Sequence, residues 1–413
     1  MNFIKTITYI LLKQILNVVR LFIGKPLVYP SLGSMTLDKD DVLVAKKWLK
    51  NRSTWNDNQI VEELETKFSN WNGSKYAFAF MGGRIALSAI IHGLGLKPKD
   101  EVIIPGYTCV VVPNAFEFAG IKPVYCDIEL DTYGLDVSLI ESKITSKTKA
   151  IMLHHLYGLV CRDFDAILKI AEKHKLKVIE DCAHATGAEY KGIKVGNYGH
   201  AAFYSFEQSK IINTVQGGMA VTNDKTIAAG IQKYYDNALL PETHRIDNQL
   251  HTLILNYYQF KHSKRWILGD IFNLFYGRKR LISTTNEEEC GICPEHYGRK
   301  MSAPVAAIGL NQLQKIDNYN THRRQAAKKW DTWCDNAGYK KPLTIKDSVP
   351  VFLRYPVLVE PDKKQDRFWA LNGLHVDLGV WFVSNIHPVN TKVENCPNAN
   401  TAVKECINFP CLL

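Results

Sequence analysis

Four groups of residues in this chain have types and spacings suited to chemistry. Lys210 ends the stretch Phe203-Tyr-Ser-Phe-Glu-Gln-Ser-Lys210 and is soon followed by Thr214-Val-Gln-Gly-Gly-Met219. A lysine amine held in a site condenses with a carbonyl to a Schiff base and then shuttles protons at the neighbouring carbon, whereas most lysines only carry surface charge. Asp181 follows the apolar, β-branched run Lys175 to Glu180. A carboxylate buried there demands a cationic partner, or else it caps a helix starting at Cys182. Gly82, Gly83 and Arg84 precede Ile85-Ala-Leu-Ser-Ala-Ile, so the N–H groups of a helix N-terminus can receive a phosphate, although most such glycine pairs are plain turns. His184, three residues after Asp181, reads by itself as a satisfied structural histidine.

These residues need a scaffold. From Lys75 to Asp224 short apolar runs alternate with helical patterns, as in Glu101-Val-Ile-Ile-Pro105, Lys149-Ala-Ile-Met-Leu153 and Leu176-Lys-Val-Ile-Glu180. Between the last two, Phe164, Ile167, Leu168, Ile170 and Ala171 recur at helical spacing, which gives strand, helix, strand. Such repetition predicts an α/β fold with a mostly parallel sheet flanked by helices, and ligands in such sheets sit at the carboxyl ends of the strands. The predicted division is an amphipathic basic arm over 1–34, a large domain over 35–236, an insertion over 237–297, and a smaller C-terminal α/β domain over 298–413. The pattern Met301 to Arg324 predicts one amphipathic helix. No internal repeat or low-complexity tract is evident.

With 413 residues, 46% of them hydrophobic, the chain can bury one large core and a second smaller one. Its net charge of +10 is spread along the length, which favours a small phosphate-bearing ligand over nucleic acid. The ten cysteines lack the spacing of a disulfide framework and predict reduced thiols in a cytoplasm. Cys290 and Cys293 form a C-x-x-C without the second pair a zinc ribbon requires, so no metal is predicted. Residues 3 to 24 are apolar but broken by Lys5, Lys13 and Arg20, and no acid precedes Asp38. That pattern argues against a membrane span or a secretory signal. It fits a helix lying on an anionic membrane face with its cations at the head groups, and equally a helix packed on protein. The basic and aromatic stretch Tyr257 to Arg280 reads as a membrane-facing insertion or a solvated lid.

The segments around Gly83, Asp181 and Lys210, in their order and spacing, resemble the DegT family of sugar aminotransferases, which are fold type I pyridoxal phosphate enzymes. The resemblance is close over about residues 35 to 235 and resumes at Gly298 to Leu313 and Cys406 to Cys411. It implies pyridoxal 5'-phosphate as cofactor, with Lys210 as its Schiff-base lysine and proton shuttle. It also implies that Asp181 sits at the pyridine nitrogen, His184 against the ring or its phenolic oxygen, and Ser205 at the phosphate. A lysine here, where the family's dehydratase branch has histidine, favours transamination. His154, His155, Tyr157 and Gly158 resemble a loop bordering the active site.

Four departures from the family pattern stand out. Gly82-Gly83-Arg84 replaces Ser-Gly-Thr, so Arg84 either contacts the phosphate or points to solvent. Cys109 stands where relatives place an aromatic residue on the cofactor ring, so either Cys109 packs there as a small apolar group or Tyr107 substitutes. Val215-Gln216 replaces Gly-Glu, and Tyr297-Gly-Arg-Lys-Met301 lacks the Asn that reaches a neighbouring subunit's phosphate. The small domain looks abbreviated at Leu413. The activity implied is transfer of an amino group, from glutamate, to the keto group of a nucleotide-linked sugar in polysaccharide or glycan synthesis, by a cytoplasmic homodimer. The alternatives are a pyridoxal phosphate lyase or transaminase on a non-sugar or lipid-linked carbonyl, and a non-catalytic membrane-associated scaffold.

Overall fold

The computed structural model describes residues 3–25, 27–31, 36–261, 284–295 and 297–412. The apolar runs become a seven-stranded sheet: β1 (Tyr76–Phe80), β2 (Glu101–Pro105), β3 (Lys122–Cys126), β4 (Thr148–His154), β5 (Lys177–Asp181), β6 (Ala201–Ser205) and β7 (Gly218–Thr222). Their spatial order is β1-β7-β6-β5-β4-β2-β3. The run from β6 to β3 is parallel throughout, and β7 is antiparallel to both of its neighbours. Every residue of β2 is buried, as expected of a sheet covered on both faces. One apolar cluster centred on Phe68, Leu153 and Phe164 and another centred on Phe80, Ile90 and Phe116 provide that cover. The three predicted strands fall on β2, β4 and β5, and the predicted helix between the last two is Phe164–Lys173.

Two local devices bring the sheet up to the site. A Cβ added at Gly218 would lie 2.4 Å from the Gly83 nitrogen, so glycine here lets β7 press against the start of helix Gly83–Gly93. Val215 is left-handed, with φ of 69°. This explains the glycine that relatives carry there, because a β-branched residue costs about 1–2 kcal/mol in that region. Asn213 Oδ1 accepts from the Val215 N–H at 2.9 Å, and Gln249 Nε2 donates to Thr214 and Gln216 carbonyls at 2.6 Å on either side.

Glu180 is wholly buried on β5 and accepts backbone N–H groups from Gly196, Tyr198 and Gly199, with His155 Nε2 3.2 Å away. Its lone pairs are committed to the loop, so the buried trio His155, Glu180 and Cys182 is a structural knot rather than a metal centre. Removing the carboxylate strands three buried N–H groups. Glu180→Ala is therefore expected to lose about 3 kcal/mol of stability in a denaturant titration, and a loss below about 1 kcal/mol would contradict that role.

A second core forms between helix Ile316–Ala337 and the antiparallel pair β8 (Arg354–Leu358) and β9 (Cys406–Pro410). Trp330 stacks on Phe409 at 4.3 Å and donates its indole N–H to the Pro410 carbonyl at 2.8 Å. The single helix predicted from Met301 to Arg324 is in fact two, Ala303–Leu313 and Ile316–Ala337. The break at Gln314 and Lys315 keeps near-helical backbone angles, so no glycine or proline marks it. Lys315 instead reaches back to Asp41 at 2.7 Å. The two cores are stitched by the parallel pairing of Thr108–Cys109 with Ile386–His387.

Helix Phe3–Phe22 packs through Tyr9 and Leu16 in a small apolar cluster with Val28, Phe368 and Leu371. Tyr9 Oη donates to Asp377 at 2.8 Å, Lys13 pairs with Asp377 at 2.7 Å, and Asn17 Oδ1 accepts from the Val28 N–H at 2.8 Å. Lys13 and Arg20 are buried. Of the two readings left open for this arm, these two cations follow the one in which the helix packs on protein, with its polar side turned inward. Of the predicted insertion, helix Thr243–Phe260 and the turn Asn286–Glu289 are described. Most of the Tyr257 to Arg280 stretch lies outside the described residues.

Candidate active site

A cavity of about 350 Å3 opens at the carboxyl ends of the parallel strands. Five strand ends deliver parts of its wall: Gly83 and Arg84 after β1, Cys109 after β2, His154 at the end of β4, Asp181 at the end of β5 with His184 beyond it, and Ser205 at the end of β6 with Lys210 beyond it. All seven residues singled out from sequence, Gly83, Arg84, Cys109, Asp181, His184, Ser205 and Lys210, therefore line one cavity.

Lys210 Nζ lies 2.7 Å from His184 Nε2. His184 Nδ1 accepts the Tyr157 backbone N–H at 3.2 Å, and burial, with Lys210 and Arg354 adding to it, keeps the ring neutral. A neutral imidazole that accepts at Nδ1 carries its proton on Nε2. That proton must then point at Lys210, which requires a lone pair there. The hydrogen-bond network thus suits the neutral form of the Lys210 amine, which burial makes accessible by lowering its pKa to about 8; below that pH the charged form predominates.

Asp181 is buried, and Oδ1 accepts from the Ala183 N–H at 3.0 Å. No helix starts at Cys182, where the chain makes turns instead, so the helix-capping reading is corrected to a turn held by one oxygen. The other lies 3.5 Å from His154 Nε2, and burial lowers the His154 pKa against the pull of Asp181. Cys109 sits on the wall with a thiol that burial holds protonated. Tyr107 is buried elsewhere, bonded to Tyr157 Oη at 3.1 Å and accepting from the Phe382 N–H at 2.9 Å. Of the two sequence alternatives, the small apolar group at Cys109 is the one that faces the cavity. Arg84 neither points to solvent nor lies free: it pairs with the buried Glu288 of the insertion. A Cβ on Gly83 would come within 3.0 Å of Ser205 Cβ, so the helix N-terminus and the Ser205 hydroxyl form one corner.

Sequence reasoning missed three contributions to the wall. Trp381 stacks parallel to His184 with ring centroids 6.0 Å apart, and Lys210 Nζ lies 5.0 Å from the indole centroid. His387, beside it, is pushed down to about 4 by burial and nearby cations. Glu288, Arg245, Tyr297 and Arg299 close the side made by the insertion. No motif marks Gly379-Val-Trp-Phe-Val383, and the only available signal was the density of aromatic and basic residues around 237–297.

Residues 36–413 match the DegT/DnrJ/EryC1/StrS aminotransferase family. The chain belongs to that family. It is an aminotransferase that uses pyridoxal phosphate. The chain is 39% identical over 302 residues to a GDP-perosamine synthase of Escherichia coli O157:H7, covering 73% of this chain and 69% of that protein. It is 34% identical over 378 residues to an L-glutamine:scyllo-inosose aminotransferase of Streptomyces griseus, covering 90% and 80%. The fold also matches the X-ray structure of an aminotransferase from Psychrobacter cryohalolentis, with a TM-score of 0.70 at 24% identity over 91% of this chain and 93% of that one. Residues 76–222 and the second core together form the frame on which the aminotransferase cavity is built.

Proposed function

We propose that the enzyme moves an amino group from glutamate to the keto group of a nucleotide-linked sugar in glycan synthesis, with Lys210 as the working base. The observation that carries this reading is the buried Lys210 amine, 2.7 Å from His184 inside the cavity, with a pKa lowered to about 8. When bound, pyridoxal phosphate supplies the aldehyde that takes up the amino group and a ring that stabilises negative charge at the reacting carbon. The wall fits that group. Ser205 and the start of helix Gly83–Gly93 offer hydroxyl and N–H donors to a phosphate. Asp181 offers a buried carboxylate to a protonated ring nitrogen. Lys210 removes the proton from the donor carbon and returns it to the acceptor, and His184 holds the amine in its basic form. Trp381 and Phe382 keep water from that face. Arg84, Arg245 and Arg299 line the insertion side, the first and last already paired with Glu288 and Glu242, and offer guanidinium donors to a diphosphate; the name of the perosamine synthase relative points to the same class of acceptor.

The decisive experiment supplies L-glutamate with nucleotide-linked keto sugars and, separately, with free keto sugars and cyclitols, and follows 2-oxoglutarate. Turnover only with the free keto sugars or cyclitols would sink the nucleotide reading and favour a transaminase on another carbonyl.

The depressed pKa of Lys210 makes the pH dependence specific. A pKa lowered from 10.5 to about 8 leaves the amine increasingly neutral as pH rises through 8. The rate at which cofactor-free protein captures pyridoxal phosphate is expected to climb with pH and level off above about pH 8. A climb continuing toward pH 10 would mean an ordinary lysine.

The same reading makes the enzyme a homodimer, as its family resemblance suggests, which light scattering tests. It also places the enzyme in the cytoplasm, lying on a membrane face. Support for the membrane comes from the outer side of helix Phe3–Phe22, where Leu11, Leu12, Ile15, Val18, Val19 and Phe22 are exposed, Phe22 by 84%. No helix among the described residues is long and apolar enough to cross a membrane, so the contact is interfacial. The full chain should pellet with anionic vesicles, and an Ile15→Asp, Val19→Asp variant should not. A variant that still pellets, or that changes only oligomeric state, assigns this face to protein instead.

A further inference from the structure

Arg354, the first residue of β8, is 1% exposed, yet neither Nη1 nor Nη2 has a hydrogen-bond partner among the described residues. Its guanidinium lies over the indole of Trp381, with Cζ 3.8 Å from the ring centroid, and Lys210 Nζ is 5.0 Å from the same centroid. Glu207 acts on it through its field, with no hydrogen bond to either Nη among the described residues. Glu207 spends its carboxylate on the N–H and hydroxyl of Ser209. Arg323 adds a second buried cation nearby, its Nη1 donating to the Leu353 carbonyl at 3.1 Å. A buried guanidinium without a counter-ion is costly, and its fork of donors matches a carboxylate.

Arg84, Arg245 and Arg299 line the cavity on its insertion side, where Arg84 pairs with Glu288 and Arg299 with Glu242, while Arg354 lies behind Trp381 on the side of Lys210. An α-amino acid that gives up its nitrogen beside Lys210 brings its carboxylate one carbon away from that nitrogen, into a site with few groups to neutralise it. We propose that Arg354 binds the α-carboxylate of the amino donor and that the Trp381 indole covers it when no donor is present. This rests on the amino-transfer reading. The cover can turn about its side-chain bonds while its backbone stays in place. The Trp381 carbonyl accepts from Tyr157 Oη at 2.6 Å, and its N–H donates to Asn408 Oδ1 at 3.0 Å.

The test uses the full-length enzyme loaded with its cofactor. In Arg354→Met the dissociation constant for L-glutamate, from single-turnover absorbance changes, is expected to rise about 100-fold, with partial recovery in Arg354→Lys. Reaction with benzylamine, an amine without a carboxylate, should change less than about twofold, within the scatter expected of an untouched contact. Calorimetry on cofactor-free protein should show 2-oxoglutarate binding to wild type and not to Arg354→Met. The thermal midpoint of Arg354→Met should be equal or higher, since an unpaired buried charge has been removed. Unchanged glutamate affinity, or equal loss with glutamate and benzylamine, would overturn the assignment. A wild-type enzyme that reacts with benzylamine but with no α-amino acid would instead overturn the transfer reading itself.

Discussion

Lys210→Arg is expected to lose amino transfer by about 10^4-fold, the upper range for removing a group that moves protons at the reacting carbon. The substitution keeps a cation in the same place but removes the amine that can lose its proton, since a guanidinium stays charged at any accessible pH. Two consequences are separable. The absorption band of a lysine-bound cofactor should vanish, and borohydride treatment followed by mass spectrometry should no longer find a modified peptide spanning residue 210. The fold should survive, because Lys210 contributes to the wall of the cavity and not to the apolar clusters. An Arg variant retaining more than a tenth of wild-type turnover would mean that the base lies elsewhere. His184, 2.7 Å from Lys210, would be the first alternative.

Asp181→Asn should lower turnover by about 10^2- to 10^3-fold, the loss typical of deleting one preorganised electrostatic contact. This substitution discriminates cleanly because the two roles of the carboxylate reside on different atoms. Oδ1 accepts the Ala183 N–H at 3.0 Å, and an Asn side-chain oxygen reproduces that bond. What is lost is the negative charge beside His154 and Lys210. If Asp181 were only a cap for the turn after β5, the Asn variant would turn over normally and unfold at the wild-type denaturant concentration. A large fall in turnover with unchanged stability assigns the charge to the cofactor's ring nitrogen. A fall in both would mean that the charge supports the strand end itself.

Much of the site was legible in the sequence, and the reason is local. Gly83, Asp181, Ser205 and Lys210 each stand at the end of an apolar strand followed by a turn or helix start, a pattern that spans only a few residues. The parallel sheet then aligns those ends without further instruction, since the strands from β6 to β3 run in one direction. Lys210 and the glycine pair at 217–218 belong to the connection between β6 and its antiparallel neighbour β7, where Ser205 pairs with Gly218, so their closeness follows from one hairpin-like reversal. The break at Gln314 and Lys315 was not legible, because residues in near-helical geometry carry the same apolar period across it.

The sequence by itself determined the sheet, the strand ends and the amine at Lys210, all of which depend on short-range periodicity and turn chemistry. It left open whether Arg84 faced phosphate or solvent, whether Cys109 or Tyr107 faced the ring, and which way the cations of the first helix turned. Tertiary structure sets the surroundings of each of these through partners far along the chain. Glu288 takes Arg84, the Phe382 N–H and Tyr157 hold Tyr107 away from the cavity, and Asp377 draws Lys13 inward. The pairing of Thr108–Cys109 with Ile386–His387 brings the second core up to the cavity. That places Trp381 on its wall, with Arg354 over the same indole. A side chain's direction is fixed by the charge and volume that surround it after folding, and the residues supplying them here lie between 50 and 364 positions away.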